Sequence, residues 1–188
     1  MMHIIFDFDG TLARLKVDWK AVRAEVEEAY GPIGNRTVFS WLQERYLKGL
    51  NVSGPMRLIR EAELRAVDDL DFDQELVGLL RELKARGARM ALISMQDDDV
   101  LHRALEVMGA EDVFDVIVGR RTELSRGGQL LRVLGKWGIG PEQAFFVSDR
   151  LEDVALGLEM GLRALRLFYR DGSVKEWLRG LLNKALNA

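Results

Sequence analysis

The chain has 188 residues, a formal net charge of −3, 48% apolar and 30% charged residues, and no cysteine. At roughly 100–200 residues per domain this is one full domain, or one domain with a modest insert, and its apolar content excludes global disorder. Without cysteine there is no disulfide scaffold, zinc ribbon or thiol nucleophile, and the mildly acidic balance argues against a dedicated nucleic-acid binder. Charges interrupt every apolar run before it reaches bilayer length. The start, Met1-Met2-His3-Ile4-Ile5-Phe6-Asp7, has neither the basic nor the long apolar segment of a signal peptide. A soluble, cytoplasmic protein with no nucleic-acid or membrane partner is expected.

Residues 3–7 form a β-branched and aromatic run halted by Asp-Gly, which predicts a buried strand ending in a loop. From about 14 to 70 the texture is helical. Asp18 can cap a first helix bearing Val22, Val26 and Tyr30, ended by Gly31-Pro32. Asn35 can cap a second, with Val38, Phe39, Trp41, Leu42 and Tyr46. Ser53 can cap a third, with Pro55 in its first turn and Met56, Ile59 and Leu64 following.

From about 72 the chain alternates. A helix (Leu76, Leu79, Leu80, Leu83) ends at Gly87, and strand 89–94 follows. Next come helix 97–108 closed by Gly109, strand 115–118, helix 127–137 and strand 144–147. Helix 151–160 closed by Gly161, strand 163–168 and a helix from about 173 to 186 complete the pattern. Such alternation predicts an α/β fold: a Rossmann-like parallel sheet in three layers, its continuously apolar strands covered by helices on both faces. The helical stretch splits this core after its first strand. The expected boundaries are 1–13 with 72–188 for the core and 14–71 for the insert.

In sheets of this kind ligands sit beyond the carboxyl ends of the strands. The first strand ends in Asp7-Phe8-Asp9-Gly10-Thr11, the second in Ser94, and strand 144–147 in Ser148-Asp149, with Asp153 four residues on. If these strands are neighbours, Asp7, Asp9, Asp149 and Asp153 crowd into one volume, which is unfavourable without a cation. An all-oxygen donor set with no Cys or His nearby selects a hard cation, Mg2+ first. The run Asp97-Asp98-Asp99 is acidic too, but it sits where the first residues of a helix belong and reads as a cap. His3 and His102 have no partner motif. Trp19, Tyr30, Phe39, Trp41 and Tyr46 recur at helical spacing and read as the core of the insert, with one or two facing a substrate.

Phe6-Asp7-Phe8-Asp9-Gly10-Thr11-Leu12 resembles the DxDGT nucleophile loop of the haloacid-dehalogenase-like (HAD) phosphohydrolases. Ile93-Ser94 is similar to that family's second motif, a hydroxyl residue ending a strand. Phe146-Val147-Ser148-Asp149-Arg150-Leu151-Glu152-Asp153 resembles its fourth, GDxxxD, with Ser148 in place of the usual Gly. The insert falls where the family carries a C1-type helical cap. The third motif departs: its usual Lys is missing from Thr122-Glu123-Leu124-Ser125-Arg126-Gly127-Gly128, and Lys136 lies late in the helix. Arg126 is the candidate replacement, ahead of Arg120 and Arg121. It brings a permanent charge and a planar donor fork, with a reach and donor geometry that differ from those of Lys.

The resemblance implies the following roles. Asp7 is the nucleophile that forms an aspartyl-phosphate, and Asp9 is the general acid and then the base that activates water. The Asp7 and Asp149 carboxylates and the Asp9 carbonyl hold Mg2+. Thr11, Ser94 and Arg126 contact the phosphorylated substrate, and Asp153 supports them. The expected function is a Mg2+-dependent phosphatase acting on a small phosphorylated metabolite. The alternatives are a phosphomutase or phosphotransferase using the same Asp7 and Asp9, and a catalytically weak binding protein, which the missing Lys favours. A dehalogenase is disfavoured, since it has no need of the acid at Asp9 or of a metal. Arg14, Lys16, Arg23, Arg36, Arg45, Lys48, Arg57 and Arg60 are all available as substrate contacts within the insert.

Overall fold

The computed structural model describes residues 1–186. In chain order it contains β1 (His3–Asp7), β2 (Ala13–Arg14), α1 (Trp19–Tyr30), α2 (Val38–Leu47), α3 (Ser53–Val67), β3 (Asp71–Phe72), α4 (Gln74–Ala85) and β4 (Arg89–Ile93). There follow α5 (Asp98–Met108), β5 (Val116–Val118), α6 (Arg126–Trp137), β6 (Ala144–Ser148), α7 (Leu151–Glu159), β7 (Arg163–Arg166) and α8 (Ser173–Leu186).

The five longer strands form one parallel sheet in the order β5-β4-β1-β6-β7. Each residue of β1 is buried because both faces of the central strand are covered. Ile4 and Phe6 point into a core shared with α4, α5 and α8, while Ile5 points to the opposite core, built on Leu130, Val133, Leu134 and Trp137 of α6. This period-2 alternation between two apolar layers is why the strand reads as uniformly hydrophobic. The fold is therefore the expected three-layer α/β architecture.

Helices α1 to α3 pack around their own apolar cluster of Val22, Val26, Ile33, Val38, Trp41, Leu42, Val52 and Ile59. Where the chain leaves the sheet and returns to it, β2 and β3 pair antiparallel, Ala13 opposite Phe72 and Arg14 opposite Asp71. Neither two-residue strand is legible as a periodic segment. The insert also touches the core at depth. Glu63 of α3 and Arg120, just beyond β5, form a two-pronged ion pair (2.9 and 3.0 Å) with both side chains fully enclosed.

Three local expectations need correction. The cap of α2 is Thr37, whose Oγ1 accepts from the Ser40 N–H at 3.1 Å, not Asn35. Arg36 and Arg23 hold carbonyls of the 33–36 turn and delay the helix start. Ser53 is the first residue of α3 rather than its cap, because its own N–H is donated to Asn51 Oδ1 at 2.8 Å. The last strand stops at Arg166 rather than 168, since the Phe168 N–H turns to Ser173 Oγ at 2.9 Å. The remaining ends agree to within a residue.

Candidate active site

Strand order brings β4, β1 and β6 side by side, so their carboxyl ends form one edge. Asp7 is the last residue of β1, in register with Ile93 of β4, and Asp149 follows the end of β6. Above this edge lies a cavity of about 270 Å3, lined by Asp7, Asp9, Trp19, Phe39, Met95, Gln96, Arg126, Asp149 and Arg150.

The loop after β1 is wound tightly around the Phe8 carbonyl, which accepts from the N–H groups of Thr11 and Leu12. Gly10 adopts φ +86°, and any Cβ there would collide with the Asp149 carboxylate, so conformation and space both require glycine. Asp9 is held by the Leu15 N–H, donated to its Oδ1 at 2.8 Å. Asp7 is buried and receives the Arg126 guanidinium, Nη2 to Oδ1, at 2.9 Å. The same Nη2 lies 3.0 Å from Asp153 Oδ2, which also accepts from Ser148 Oγ at 3.2 Å. One cation thus joins the end of β1 to the start of α7.

Arg126 reaches this point because it is the first residue of α6, capped by Ser125, whose Oγ accepts from the Gly128 N–H. The loop ahead of it is organised by Asp98, which accepts from the N–H groups of Gly119, Arg121 and Thr122. Of the acidic run 97–99, only Asp97 caps α5, through the Asp99 N–H at 3.1 Å; Asp99 pairs with Arg60 and Arg121. Arg120 and Arg121 are thus committed away from Asp7.

Burial pushes the Asp7 carboxyl up to about 6, against the pull of Arg126. It also raises the Asp9 carboxyl, opposed by the Leu15 N–H, and the Asp149 carboxyl. Three carboxylates that resist ionisation on one cavity wall form an electrostatically unsatisfied site. Asp149 Oδ1 in particular is buried with no hydrogen-bond partner. Among the described residues no group of three or more His, Asp or Glu side chains is arranged to hold a metal. The ligand set implied by the family resemblance is smaller: two carboxylates, Asp7 and Asp149, and the Asp9 carbonyl.

Two expected substrate contacts sit elsewhere. Thr11 is fully buried, and its Oγ1 accepts the Asp149 N–H at 3.0 Å, so it positions Asp149 instead of lining the cavity. Ser94 is also fully buried, with its hydroxyl donated to Gln96 Oε1. Sequence reasoning passed over Gln129. Fully buried, it accepts from Arg126 Nη1 at 3.1 Å and donates to the carbonyls of Ser94 (2.6 Å) and Glu123 (3.0 Å). A signal was available: Gln129 lies three residues from Arg126, beside Leu130 and Val133 on the apolar face of a helix. Trp19 and Phe39 are the two insert aromatics that face the cavity, while Trp41 is core.

A buried aspartate at the end of a central parallel strand, a fixed guanidinium on it and a second carboxylate across a tight glycine define an anion-handling α/β enzyme site. The chain belongs to the haloacid dehalogenase-like hydrolases, whose family model matches residues 4–167. It is similar to a phosphoglycolate phosphatase of Synechococcus elongatus, 26% identical over 175 residues, covering 88% of this chain and 82% of that protein. It is also similar to phosphoglycolate phosphatase 1 of Pseudomonas aeruginosa, 28% identical over 187 residues, covering 88% and 69%. Among solved structures it shares the fold of CbbY from Rhodobacter sphaeroides in complex with phosphate (TM-score 0.64, 22% identity, 90% of this chain and 88% of that one). The same holds for L-2-haloacid dehalogenase from Xanthobacter autotrophicus (TM-score 0.62, 20% identity, 89% and 78%). The chain is thus a hydrolase of this family, and its relatives support a phosphatase. No helix of the described residues is long and apolar enough to cross a membrane.

Proposed function

We propose that the chain is a Mg2+-dependent phosphatase that hydrolyses a small phosphorylated metabolite through an aspartyl-phosphate on Asp7. The observation that carries this reading is the buried Asp7 carboxylate on the cavity floor, oriented by Arg126 at 2.9 Å. The unpartnered buried Oδ1 of Asp149 and the suppressed ionisation of Asp7 fit a hard cation between them. The Asp7 and Asp149 carboxylates and the Asp9 carbonyl would hold Mg2+, which when bound neutralises phosphoryl charge and keeps Asp7 ionised.

The residues divide the work as follows. An Asp7 oxygen bonds to phosphorus as the ester P–O bond breaks. Asp9, whose carboxyl is raised by burial and held by Leu15, gives its proton to the departing oxygen. It then takes a proton from the water that attacks phosphorus, and the Asp7–phosphorus bond breaks to release phosphate. Arg126 meets the phosphoryl oxygens with donors held by Asp153 and Gln129. Residues 14–71 serve as a cap whose Trp19 and Phe39 shield the cavity from water.

The test combines turnover and trapping. Release of p-nitrophenol from p-nitrophenyl phosphate should require Mg2+. Acid-quenched protein should carry one phosphoryl group on the peptide containing Asp7, by mass spectrometry. Turnover without any phosphorylated Asp7 would refute the covalent route, and absence of turnover would favour the binding-protein alternative.

A further inference from the structure

We propose that the substrate is a phosphate monoester whose leaving group is uncharged and apolar next to the ester, an arylmethyl alcohol in its simplest form, and not a short acid. This rests on the phosphatase reading above. Asp7, Asp9, Arg126 and Asp149 account for the phosphoryl end of the cavity. The rest of its wall is Trp19, Phe39, Met95, Gln96 and Arg150. The two rings meet edge to face, centroids 5.1 Å apart and planes at 71°. With Val38, the same rings wall a second cavity of about 450 Å3, which shares Trp19, Phe39 and Arg150 with the first.

A short acidic leaving group that lies toward Trp19 and Phe39, and not toward the neighbouring cavity that Arg14 and Lys16 line beside Asp9 and Asp149, would have to set its carboxylate against this wall. The buried cations nearby are already taken: Arg126 by Asp7 and Asp153, and Arg120 by Glu63. Arg150 has a side chain 52% exposed and leans toward Glu152 at 3.9 Å. Gln96 is a neutral amide whose oxygen is engaged by Ser94. A carboxylate enclosed by two rings and a thioether loses its hydration with no fixed charge to replace it. An apolar ring loses nothing there and gains edge-to-face and sulfur–aromatic contacts. Any charge on the leaving group belongs at its far end, where Lys20 borders the second cavity.

The experiment compares kcat/KM for benzyl phosphate, propyl phosphate and phosphoglycolate, all esters of alkyl alcohols, on the Mg2+-loaded protein. Wild type, Trp19→Ala and Phe39→Leu are each assayed. Benzyl phosphate should exceed each of the others by about tenfold or more, with the advantage shrinking in both variants. Calorimetric titration with benzylphosphonate and phosphonoacetate should give the same order without turnover. Phosphoglycolate equal to or better than benzyl phosphate, with phosphonoacetate the tighter ligand, overturns the proposal and leaves the phosphatase reading standing. Tighter binding of benzylphosphonate with no ester hydrolysed would support the pocket and sink the phosphatase reading. If a variant fails to fold, the wild-type order decides.

Discussion

Arg126→Ala removes the one guanidinium shared by Asp7 and Asp153, 2.9 and 3.0 Å from their carboxylates. At an effective permittivity near 20, each such contact is worth on the order of 4 kcal/mol before desolvation is subtracted. What is lost in catalysis is the part that strengthens as phosphoryl charge is redistributed. Loss of one preformed donor to a developing oxyanion costs about 2–4 kcal/mol, so turnover should fall by roughly 30- to 1,000-fold. Arg126→Lys should recover part of this, because the charge is retained while the fork that spans Asp7, Asp153 and Gln129 is lost. The assay is steady-state hydrolysis of p-nitrophenyl phosphate at saturating Mg2+, with circular dichroism to show that each variant is folded. Wild-type kcat and KM in a folded Arg126→Ala protein would refute the assignment, since a cation this close to the nucleophile could not then be touching the phosphoryl group.

Asp7→Asn should abolish turnover while leaving the fold intact, because an amide cannot attack phosphorus. In chelator it should also reshape the pH dependence of stability. The folded Asp7 carboxyl, raised from 3.8 to about 6, holds its proton more tightly than the unfolded one, so wild-type stability falls as pH rises from about 4 to 6. The variant escapes a penalty of about 3 kcal/mol at pH 7, and a difference in urea-unfolding free energy independent of pH would contradict this. Activity should vanish in excess chelator, return with Mg2+ and be inhibited by Ca2+, whose looser coordination can engage both Asp7 oxygens; full activity in chelator would rule out the metal-dependent route. Glu63→Ala, which strands a fully enclosed Arg120, should cost about 3–5 kcal/mol, whereas pairing Glu63→Leu with Arg120→Met should restore most of it. Thermal melts that leave the single variant within a degree of wild type would show that the pair carries no such weight.

Much of the site could be read from the chain. The run from Phe6 to Leu12 combines an apolar strand, two aspartates one residue apart and a glycine, each required locally: β1 must be apolar on both faces, and Gly10 must accept φ +86°. Arg126 was legible through the family resemblance, as the cation standing where the third motif lacks its usual Lys, close to the start of the helix before β6. These are matters of period, turn chemistry and chain order, which the sequence encodes within a few residues.

Tertiary structure alone decided how the polar groups were paired. Thr11 and Ser94 carry hydroxyls in the right segments, but only packing shows that Asp149 and Gln96 consume them. Gln129 and Glu63 lie on the buried sides of α6 and α3, and their partners are 35 and 57 residues away, at Ser94 and Arg120. Trp19 and Phe39 belong to helices whose spacing predicts a buried stripe with one or two rings facing a substrate, without saying which; the direction in which α1 and α2 lie over the sheet edge turns these two toward Asp7. The physical reason is common to all of them. An apolar contact is non-directional and follows from composition and period, whereas a hydrogen bond or ion pair in the interior needs a particular partner at about 3 Å, and long-range packing selects that partner.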